Sequence, residues 1–284
     1  MTSHTYYRSS DFRPSFSRLH ELRALVSSGV PMMALTATVT YEMRKDIIDR
    51  FDMQGCAIIS ASPNRPNIFY SVHQRTSLEN DLAPIIDDVR ENGIKAGRVI
   101  IYCRSLNMCA DLYAHFLYTL GGNSYYPHGA PALCENRLFA MFHSSTPKHN
   151  KDVVLKSMTE EAGIVRIVFA TTALRMGVHF VGLDSTIHYG APRSIDDYFQ
   201  ESGRAGRDGK QASSAIYWVP SDAPNKDIKN PRNAEIVAVR RYLENITDCR
   251  RCQLLRYFDP ELVKILPRSD PNKCCDVCKL HVGT

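Results

Sequence analysis

The chain of 284 residues is 44% hydrophobic, which is enough for a sizeable core and excludes a protein that is disordered throughout. The net charge of +5 suits a nucleic-acid partner but also many ordinary enzymes, so charge alone selects no function. No apolar run approaches the roughly 18 residues that cross a bilayer, and the N-terminus lacks the apolar segment of a signal peptide, which predicts a soluble intracellular protein with no membrane partner.

The N-terminal part of the chain predicts a piece of an α/β layer followed by a linker. Helical spacing occurs at 17–28 and 41–51, and short apolar strands are predicted at 31–38 and 56–60. The segment 62–67, SPNRPN, carries two prolines and two asparagines and is typical of a turn. A domain boundary is therefore predicted there.

Strands and helices alternate again through the middle of the chain, which predicts a parallel sheet covered by helices on both faces. Ser194, with Asp197 three residues later, resembles a capping box that begins the helix leading to Arg204. The segment 121–135 is too rich in glycine and proline for regular structure and is predicted to be a surface insertion. The predicted strands are 98–103, 164–170, 185–190 and 213–219, and the predicted helices are 106–120 and 194–204.

Beyond residue 222 the pattern changes and predicts a separate small helical subdomain. Helices are predicted at 234–246 and 249–258, followed by a loop flanked by prolines and a cysteine cluster. The chain has nine cysteines, an odd number that fits a reducing compartment better than a disulfide framework. Five of them fall within the last 36 residues, and such crowding predicts metal binding.

The cysteine spacing offers two sets of four thiolates for a tetrahedral zinc ion. The first is a paired C-x-x-C arrangement of Cys249 and Cys252 with Cys275 and Cys278, and the second contains Cys274 in place of Cys252. Either set would add stability to a subdomain with little core of its own. Spacing alone does not choose between them.

The stretch QESGRAGRDG, which begins at Gln200, predicts a phosphate-binding element. Arg204 and Arg207 are three residues apart, so on a helical turn they would share one face, with Gln200 one turn earlier. Their guanidinium groups would then converge on one anion. The alternative is that the two arginines merely form ion pairs with Asp208 or Asp196.

Five stretches in a fixed order resemble the motifs of the RecQ family of DNA helicases, and the resemblance runs from residue 11 to Cys278. It implies two RecA-like domains that clamp ATP between them, a zinc-binding subdomain, and movement 3′ to 5′ along single-stranded DNA. It implies the end of the first RecA-like domain at 1–62, the second RecA-like domain at 63–221 and the zinc-binding subdomain at 222–284. The five stretches are ALTATVT (34–40), NRPNIFYSV (64–72), VIIYCRS (99–105), FATTALRMGV (169–178) and QESGRAGRDG (200–209).

The same resemblance assigns roles to individual residues. Arg204 and Arg207, with Gln200 in the same catalytic motif, are implied to reach across the cleft to the ATP γ-phosphate, where arginine stabilises charge that builds up during transfer. The residues implied to couple ATP to DNA are Thr36, Thr38, Arg65, Thr171 and Gly177. The residues implied as zinc ligands are Cys249, Cys274, Cys275 and Cys278.

Several of these roles have plainer alternatives when the residues are taken by themselves. Threonines at the end of a strand, such as Thr36 and Thr171, are commonly helix caps. Arg65 lies in a proline-containing turn, where a purely structural role is an equal alternative to contact with nucleotide or DNA. Two arginine pairs and Arg256 would form a basic helical face toward DNA, or an ordinary solvated face. The pairs are Arg240 with Arg241 and Arg250 with Arg251.

The chain lacks two elements that an ATPase of this kind requires. It contains no G-x-x-x-x-G-K-[ST] sequence to cradle the phosphates, and no Asp-Glu dipeptide for the acidic box that holds Mg²⁺. We therefore expect a C-terminal portion of a longer helicase, which binds ATP and Mg²⁺ only together with an N-terminal helicase half in cis.

Two other functions are compatible with parts of this pattern. A non-catalytic DNA-binding or interaction module would keep the fold without the ATP half. An RNA helicase of the same architecture would share the arginine motif, but the cysteine cluster argues against it. A DNA helicase in repair, recombination or replication implies the nucleus, with the cytoplasm as the alternative location.

Overall fold

The computed structural model describes most of the chain beyond residue 29. The described residues are 18, 21, 25, 30–36, 39–171, 174, 178–227, 229, 230, 233–264 and 270–281. Thr38 and Gly177 lie outside this set, so their implied roles have no structural counterpart here.

The centre of the fold is a six-stranded sheet in which every pair of neighbouring strands is parallel. The strand order is β1-β6-β5-β2-β4-β3, so the chain crosses over the sheet between most consecutive strands. This confirms the predicted α/β class with a parallel sheet. The strands are β1 (Ile68–Gln74), β2 (Arg98–Cys103), β3 (Phe139–Phe142), β4 (Ile167–Ala170), β5 (Leu183–Tyr189) and β6 (Ala212–Trp218).

The α-helices cover both faces of the sheet and continue into the C-terminal region. The first five are α1 (Tyr41–Arg50), α2 (Leu78–Asn92), α3 (Leu106–Leu120), α4 (Lys148–Thr159) and α5 (Ile195–Ser202). The last five are α6 (Ala234–Glu244), α7 (Arg250–Phe258), α8 (Pro260–Lys264), α9 (Pro271–Cys274) and α10 (Asp276–Leu280). The predicted insertion at 121–135 contains only short 3₁₀ turns, as its glycine and proline content predicts.

Alternate residues of each strand supply two separate apolar layers, because successive side chains of a strand point to opposite faces. In β2, Ile101 faces the layer formed with α2 and α3, whereas Ile100 and Tyr102 face the other layer. That second layer contains apolar residues of α4 and α5 and also of the C-terminal helices, including Tyr242 and Phe258. The C-terminal region therefore shares one continuous core with the sheet.

Two of the predicted N-terminal strands are not strands in the structure. Residues 31–36, the described part of the first, and residues 56–60 belong to no strand, although Ile58 and Ile59 are apolar, and both are exposed. A strand is stable only when its backbone pairs with a neighbour. Among the described residues the sheet begins at Ile68, and none of its strands lies beside these segments.

The helix that leads to the arginine motif is shorter than predicted. Ser194 caps it, since its hydroxyl accepts a hydrogen bond from the Asp197 backbone at 3.1 Å. The helix ends at Ser202, with Gly203 as its C-cap, and the following residues form turns. The prediction that Arg204 and Arg207 share a helical face is therefore wrong, because the helix ends at Ser202, before both arginines.

Candidate functional site

The arginine loop, residues 203–209, lies at the edge of the sheet where the strands begin. The Gly206 backbone N–H donates to the Leu183 carbonyl at the start of β5, at 2.9 Å. The loop leads directly into β6, whose first residue, Ala212, donates its backbone N–H to the Asn67 carbonyl at 2.8 Å. The loop is thus fixed between the linker before β1 and the beginnings of β5 and β6.

Gly206 allows the closest approach in this loop. Its φ of +58° is a left-handed conformation, which glycine adopts without the steric cost that other residues meet. A Cβ at this position would lie 2.5 Å from Asn67 Nδ2 and 2.8 Å from both the Ala212 Cβ and the Lys210 carbonyl. Only glycine fits here without displacing its neighbours.

Arg65 holds the arginine loop by its backbone. Its Nη1 donates to the Gly203 carbonyl at 2.8 Å, and its Nη2 donates to the carbonyls of Ala205 at 2.9 Å and Gly206 at 2.7 Å. Asn67 adds two bonds of 2.7 Å, to the Gly206 and Lys210 carbonyls. In this structure, therefore, the Arg65 side chain supports the loop.

Three guanidinium groups meet at this loop. The pKa of Arg207 is lowered, first by burial and then by the charges of Arg204 and Arg65. Arg204 is 7% exposed and contacts the Val178 carbonyl at 3.5 Å, whereas Arg207 is exposed. Repulsion among cations that are close together is relieved when an anion binds, so this cluster favours a phosphate.

The ion pairs considered as an alternative for Arg207 are not formed within the described part of the chain. Asp208 pairs with Lys210 at 3.6 Å, and Asp196 accepts a hydrogen bond from the Tyr257 hydroxyl at 2.9 Å. Arg207 therefore projects from the loop without a carboxylate neighbour among these residues.

The other polar positions of the motifs are not all at the arginine loop. Thr171 follows β4, and its backbone N–H donates to the Phe142 carbonyl at 3.2 Å, which places it at the opposite edge, where the strands end. Gln200 is exposed in the last turn of α5, just before the arginine loop, and Thr36 is exposed in a segment without regular structure. The structure thus places Thr171 at the edge of the sheet opposite the arginine loop.

Four cysteines come together in the C-terminal region. The sulfurs of Cys249, Cys274, Cys275 and Cys278 all lie within 4.8 Å of one another, and Cys249 and Cys274 are 3.5 Å apart. Cys249 precedes α7 and Cys275 precedes α10, so two helix starts carry the group. Four sulfur donors at this spacing fit the tetrahedral all-cysteine coordination that zinc prefers.

The hydrogen bonds among these four side chains favour the ionised, thiolate form of Cys249. The pKa of Cys249 is well below its usual value, because the thiols of Cys274 and Cys275 donate to it. Burial raises the pKa of Cys278 to about 12. The pKa of Cys274 is raised by its hydrogen bonds to Cys249 and Cys275 and by burial, while the charge of Arg251 opposes the rise. A divalent cation would replace the shared protons.

Cys252 does not belong to this group of sulfurs. It lies in the first turn of α7, half-buried, and burial raises the pKa of its thiol to about 11. Its backbone N–H helps to lower the pKa of Cys249, and the charge and side chain of Cys249 add to the rise in the pKa of Cys252. Of the two sets that the spacing allowed, the structure brings together the one with Cys274.

The cysteine cluster is docked against the edge strand β1. Cys275 forms an isolated parallel bridge with Tyr70, and the Asp276 carboxylate accepts a hydrogen bond from the Val72 backbone at 2.9 Å. Asp276 also accepts from Arg250 Nε at 2.5 Å. The cluster is therefore tied to the sheet on the side of β1 that β6 leaves free.

Two arginines of α7 lie inside the protein, so they are not part of the basic face predicted as one alternative. Arg250 and Arg251 are each 3% exposed. Arg240 is bound to the Ala223 carbonyl and pairs with Glu244 at 2.6 Å. Sequence reasoning missed the internal arginines because it assigned them by charge, although their position beside Cys249 was a signal that they belong with the cluster.

A second group of metal-ligand types is an ordinary surface arrangement. The ligand atoms of Cys134, Glu135 and His149 lie within 4.8 Å of one another, but Glu135 and His149 are exposed and joined by a hydrogen bond of 2.7 Å. That pair satisfies both side chains without a cation. In the described ranges, moreover, no helix is both long and apolar enough to cross a membrane.

Comparisons with known proteins match two parts of the chain to family models. Residues 82–209 match the helicase conserved C-terminal domain, and residues 210–279 match the RecQ zinc-binding region. The structure of Mycobacterium smegmatis helicase Lhr bound to ssDNA and AMP-PNP has a similar fold, with a TM-score of 0.54 and 18% identity over 80% of this chain and 28% of that chain.

Two curated relatives align with nearly the whole chain. ATP-dependent DNA helicase hus2/rqh1 of Schizosaccharomyces pombe is 31% identical over 281 residues, which cover 94% of this chain and 19% of that protein. ATP-dependent helicase wrn-1 of Caenorhabditis elegans is also 31% identical over 281 residues, covering 94% of this chain and 25% of that protein. The chain thus spans about a fifth to a quarter of the length of these relatives.

Proposed function

The chain belongs to the RecQ family of DNA helicases, and from that premise we propose that it supplies the second half of an ATP-dependent 3′ to 5′ DNA helicase. The observation that carries the proposal is the arginine loop, where Arg204, Arg207 and Arg65 bring three guanidinium groups together beside the linker. In this function the two loop arginines stabilise charge on a γ-phosphate that another part of the protein holds.

The chemistry assigned to the loop is electrostatic. Negative charge spreads over the oxygens of the phosphoryl group during transfer, and planar, permanently charged arginines stabilise it better than they stabilise bound ATP. Arg207 is exposed and free to approach the nucleotide, while the buried Arg204 sits behind it. The phosphate cradle and the Mg²⁺ ligands would come from an N-terminal half in cis, since this sequence contains neither motif.

We assign the coupling of ATP to DNA to the edge of the sheet where the strands end and to residues 1–62, the end of the first RecA-like domain. Thr171 lies at the edge where the strands end, so closure on ATP would shift this edge. Gln200, in the last turn of α5, stays with the catalytic arginines that follow it. Thr36, Thr38 and Gly177 complete this proposed set, with single-stranded DNA and duplex junctions as the substrates. We assign Arg65 to holding the arginine loop in place of direct contact with nucleotide or DNA, because its donors are bonded to loop carbonyls.

We assign zinc to Cys249, Cys274, Cys275 and Cys278, whose donor set and spacing support it. We also propose domain limits at 62/63 and 221/222, with the zinc-binding subdomain at 222–284 packed on the second RecA-like domain through a shared core. Location in the nucleus and a part in DNA repair or recombination are proposed from the family alone.

The test restores the proposed missing half. The segment of the S. pombe relative that aligns immediately upstream is fused before Met1, and ATP hydrolysis is measured with and without single-stranded DNA. We expect DNA-stimulated turnover in the fusion and none in the chain alone. Arg207→Lys or Arg204→Lys should lower turnover of the fusion roughly 10²–10³-fold while single-stranded DNA binding is kept.

The matched control is Arg90→Lys, which changes an exposed arginine on α2 that pairs with Asp87. It should leave turnover unchanged. Turnover by the chain alone that disappears in Arg204→Ala would contradict the need for a second half. An active fusion that tolerates both loop substitutions would contradict the arginine assignment, and a folded fusion that binds DNA without hydrolysing ATP would favour a non-catalytic DNA-binding module.

A further inference from the structure

A continuous path of hydrogen bonds runs from the cysteine cluster to the arginine loop, and its first step is Arg251. The guanidinium of Arg251 bridges two segments that are far apart in sequence. Its Nη2 lies 3.4 Å and 3.5 Å from the carbonyls of Lys273 and Cys274, and 2.8 Å from the Ile68 carbonyl. Its Nη1 donates to the Arg65 carbonyl at 3.1 Å. One side chain thus connects the backbone of a cluster cysteine to the linker before β1.

The second step is Arg65, which is bound at both ends. Its backbone carbonyl is held by Arg251, and its side chain is bonded to the Gly203, Ala205 and Gly206 carbonyls. A displacement of the linker backbone would therefore move the guanidinium that supports the loop. Four residues, Cys274, Arg251, Arg65 and Gly206, span the distance between the two sites.

Burial makes the path stiff. Arg251 is 3% exposed, so water cannot replace a carbonyl that moves away from its charge. The Tyr70 ring lies against the same guanidinium, with 5.8 Å between the ring centroid and Cζ, and closes its other side. A buried cation that loses partners is costly, so Arg251 and its carbonyls keep one arrangement.

We propose that Arg251 and Arg65 are positioning residues through which the state of the cysteine cluster sets the arginine loop. When the four thiols are held together, the backbone at Cys274 is fixed, Arg251 fixes the linker, and Arg65 fixes the loop that carries Arg204 and Arg207. The physical coupling stands on these contacts alone, while its consequence for ATP turnover rests on the function proposed above.

The experiment measures amide hydrogen exchange of the 284-residue chain, loaded with zinc and after removal of zinc with a chelator. We expect removal to speed exchange about tenfold at Gly206 and Ala212, whose N–H groups bond to Leu183 and Asn67. Exchange in β2, which lies away from the path, should stay slow and shows that the sheet remains folded. Unchanged exchange at Gly206 and Ala212 with faster exchange in α7 would overturn the proposal.

Arg251→Lys tests the role of Arg251 in this path. Lysine keeps the positive charge, but it lacks the planar guanidinium that contacts both the linker carbonyls and those of Lys273 and Cys274. In the zinc-loaded chain we expect this variant to speed exchange at Gly206 about as much as zinc removal does in the unaltered chain. Removal of zinc from the variant should then increase the exchange rate at Gly206 only slightly further. Independent, additive effects of the substitution and of the chelator would overturn the relay.

Arg250→Lys is the matched control, since Arg250 is equally buried in the same helix but bonds Asp276 and the Tyr242 carbonyl and not the linker. It should leave loop exchange near that of the unaltered chain while the zinc content is kept. Equal acceleration at Gly206 in both variants would show a general loosening and overturn the assignment to Arg251. A positive exchange result with normal ATP turnover in the Arg251→Lys fusion would instead count against the function proposed for the loop.

Discussion

At the scale of single residues, the arginine loop depends on contacts that the motif letters do not reveal. The motif suggested two arginines on a helical face, but Gly203 ends the helix and Gly206 turns the chain with a φ of +58°. The arginines are then presented from a turn that Arg65 and Asn67 hold by its carbonyls. The glycines are therefore as necessary to the site as the arginines.

Gly206→Ala should destabilise the protein more than the same change at Gly209. Both glycines have positive φ, but a Cβ at 206 would lie 2.5 Å from Asn67 Nδ2, whereas a Cβ at 209 would have no atom within 4 Å. We expect a loss of roughly 2–5 kcal/mol in the free energy of unfolding for Gly206→Ala, because backbone strain and overpacking combine. Gly209→Ala should lose about 1–2 kcal/mol from strain alone.

Urea unfolding followed by circular dichroism measures both values. Equal losses in the two variants would mean that the neighbours of Gly206 move aside freely, and would count against a tightly held loop.

At the scale of elements, local signals located some helices and strands but missed others, since α2 and α4 were not predicted. The helix α3 begins and ends within one residue of its prediction, because Ser105 caps it and Gly121 ends it. β1 and β3 were not assigned from the sequence, since a short strand is defined by the neighbours with which it pairs. β1 lies between β6 and the cysteine cluster, two partners that are distant in the chain.

The cap of α5 offers a prediction at this scale. Ser194 is fully buried and accepts a hydrogen bond from the Asp197 backbone, whereas Ser105 makes the same bond to Met108 at the exposed start of α3. Ser194→Ala should cost about 1–2 kcal/mol of unfolding free energy, because water cannot replace the lost acceptor. Ser105→Ala, the matched control, should cost about 0.5–1 kcal/mol.

Thermal unfolding of both variants, fitted with one common heat capacity change, gives the loss of unfolding free energy in each. A Ser194→Ala variant no less stable than Ser105→Ala would show that the buried cap is dispensable.

At the scale of the whole molecule, the sheet and the C-terminal helices behave as parts of one core. Tyr242 and Phe258 pack in the same apolar layer as Ile100 and Tyr198, and Tyr70 of β1 is bridged to Cys275. A change in the cysteine cluster should therefore be felt in the sheet. Apolar packing and the hydrogen bonds of the buried arginines in α7 connect the C-terminal helices to the sheet.

Cys274→Ser should remove the bound zinc and lower the midpoint of a single cooperative unfolding transition. A structural zinc contributes to folding free energy directly, and the shared core extends that effect to the sheet. Cys252→Ser, the matched control, should keep one zinc per chain, because the Cys252 thiol lies outside the group of four sulfurs. Zinc content by atomic absorption and the thermal midpoint give the two readouts.

Loss of zinc in Cys252→Ser would contradict the ligand set. Two separate transitions in Cys274→Ser, with the sheet unaffected, would contradict the continuous core.

The sequence alone determined the α/β class, the parallel sheet, several helices such as α3, the family resemblance and the crowding of the cysteines. These follow from hydrophobic periodicity, caps and short motifs, all of which act over a few residues. The N-terminal strands at 31–38 and 56–60 were predicted in the same way, but a strand needs a partner that local pattern cannot supply.

Only the tertiary structure decided which sulfurs meet, that Arg250 and Arg251 lie inside, and that Arg65 supports the arginine loop. Each depends on contacts between residues far apart in the chain, such as the bond of Arg251 to Arg65. The amino-acid sequence is the same whether a charged side chain is solvated or buried. Its neighbours in three dimensions determine whether it meets water, a phosphate or a backbone carbonyl.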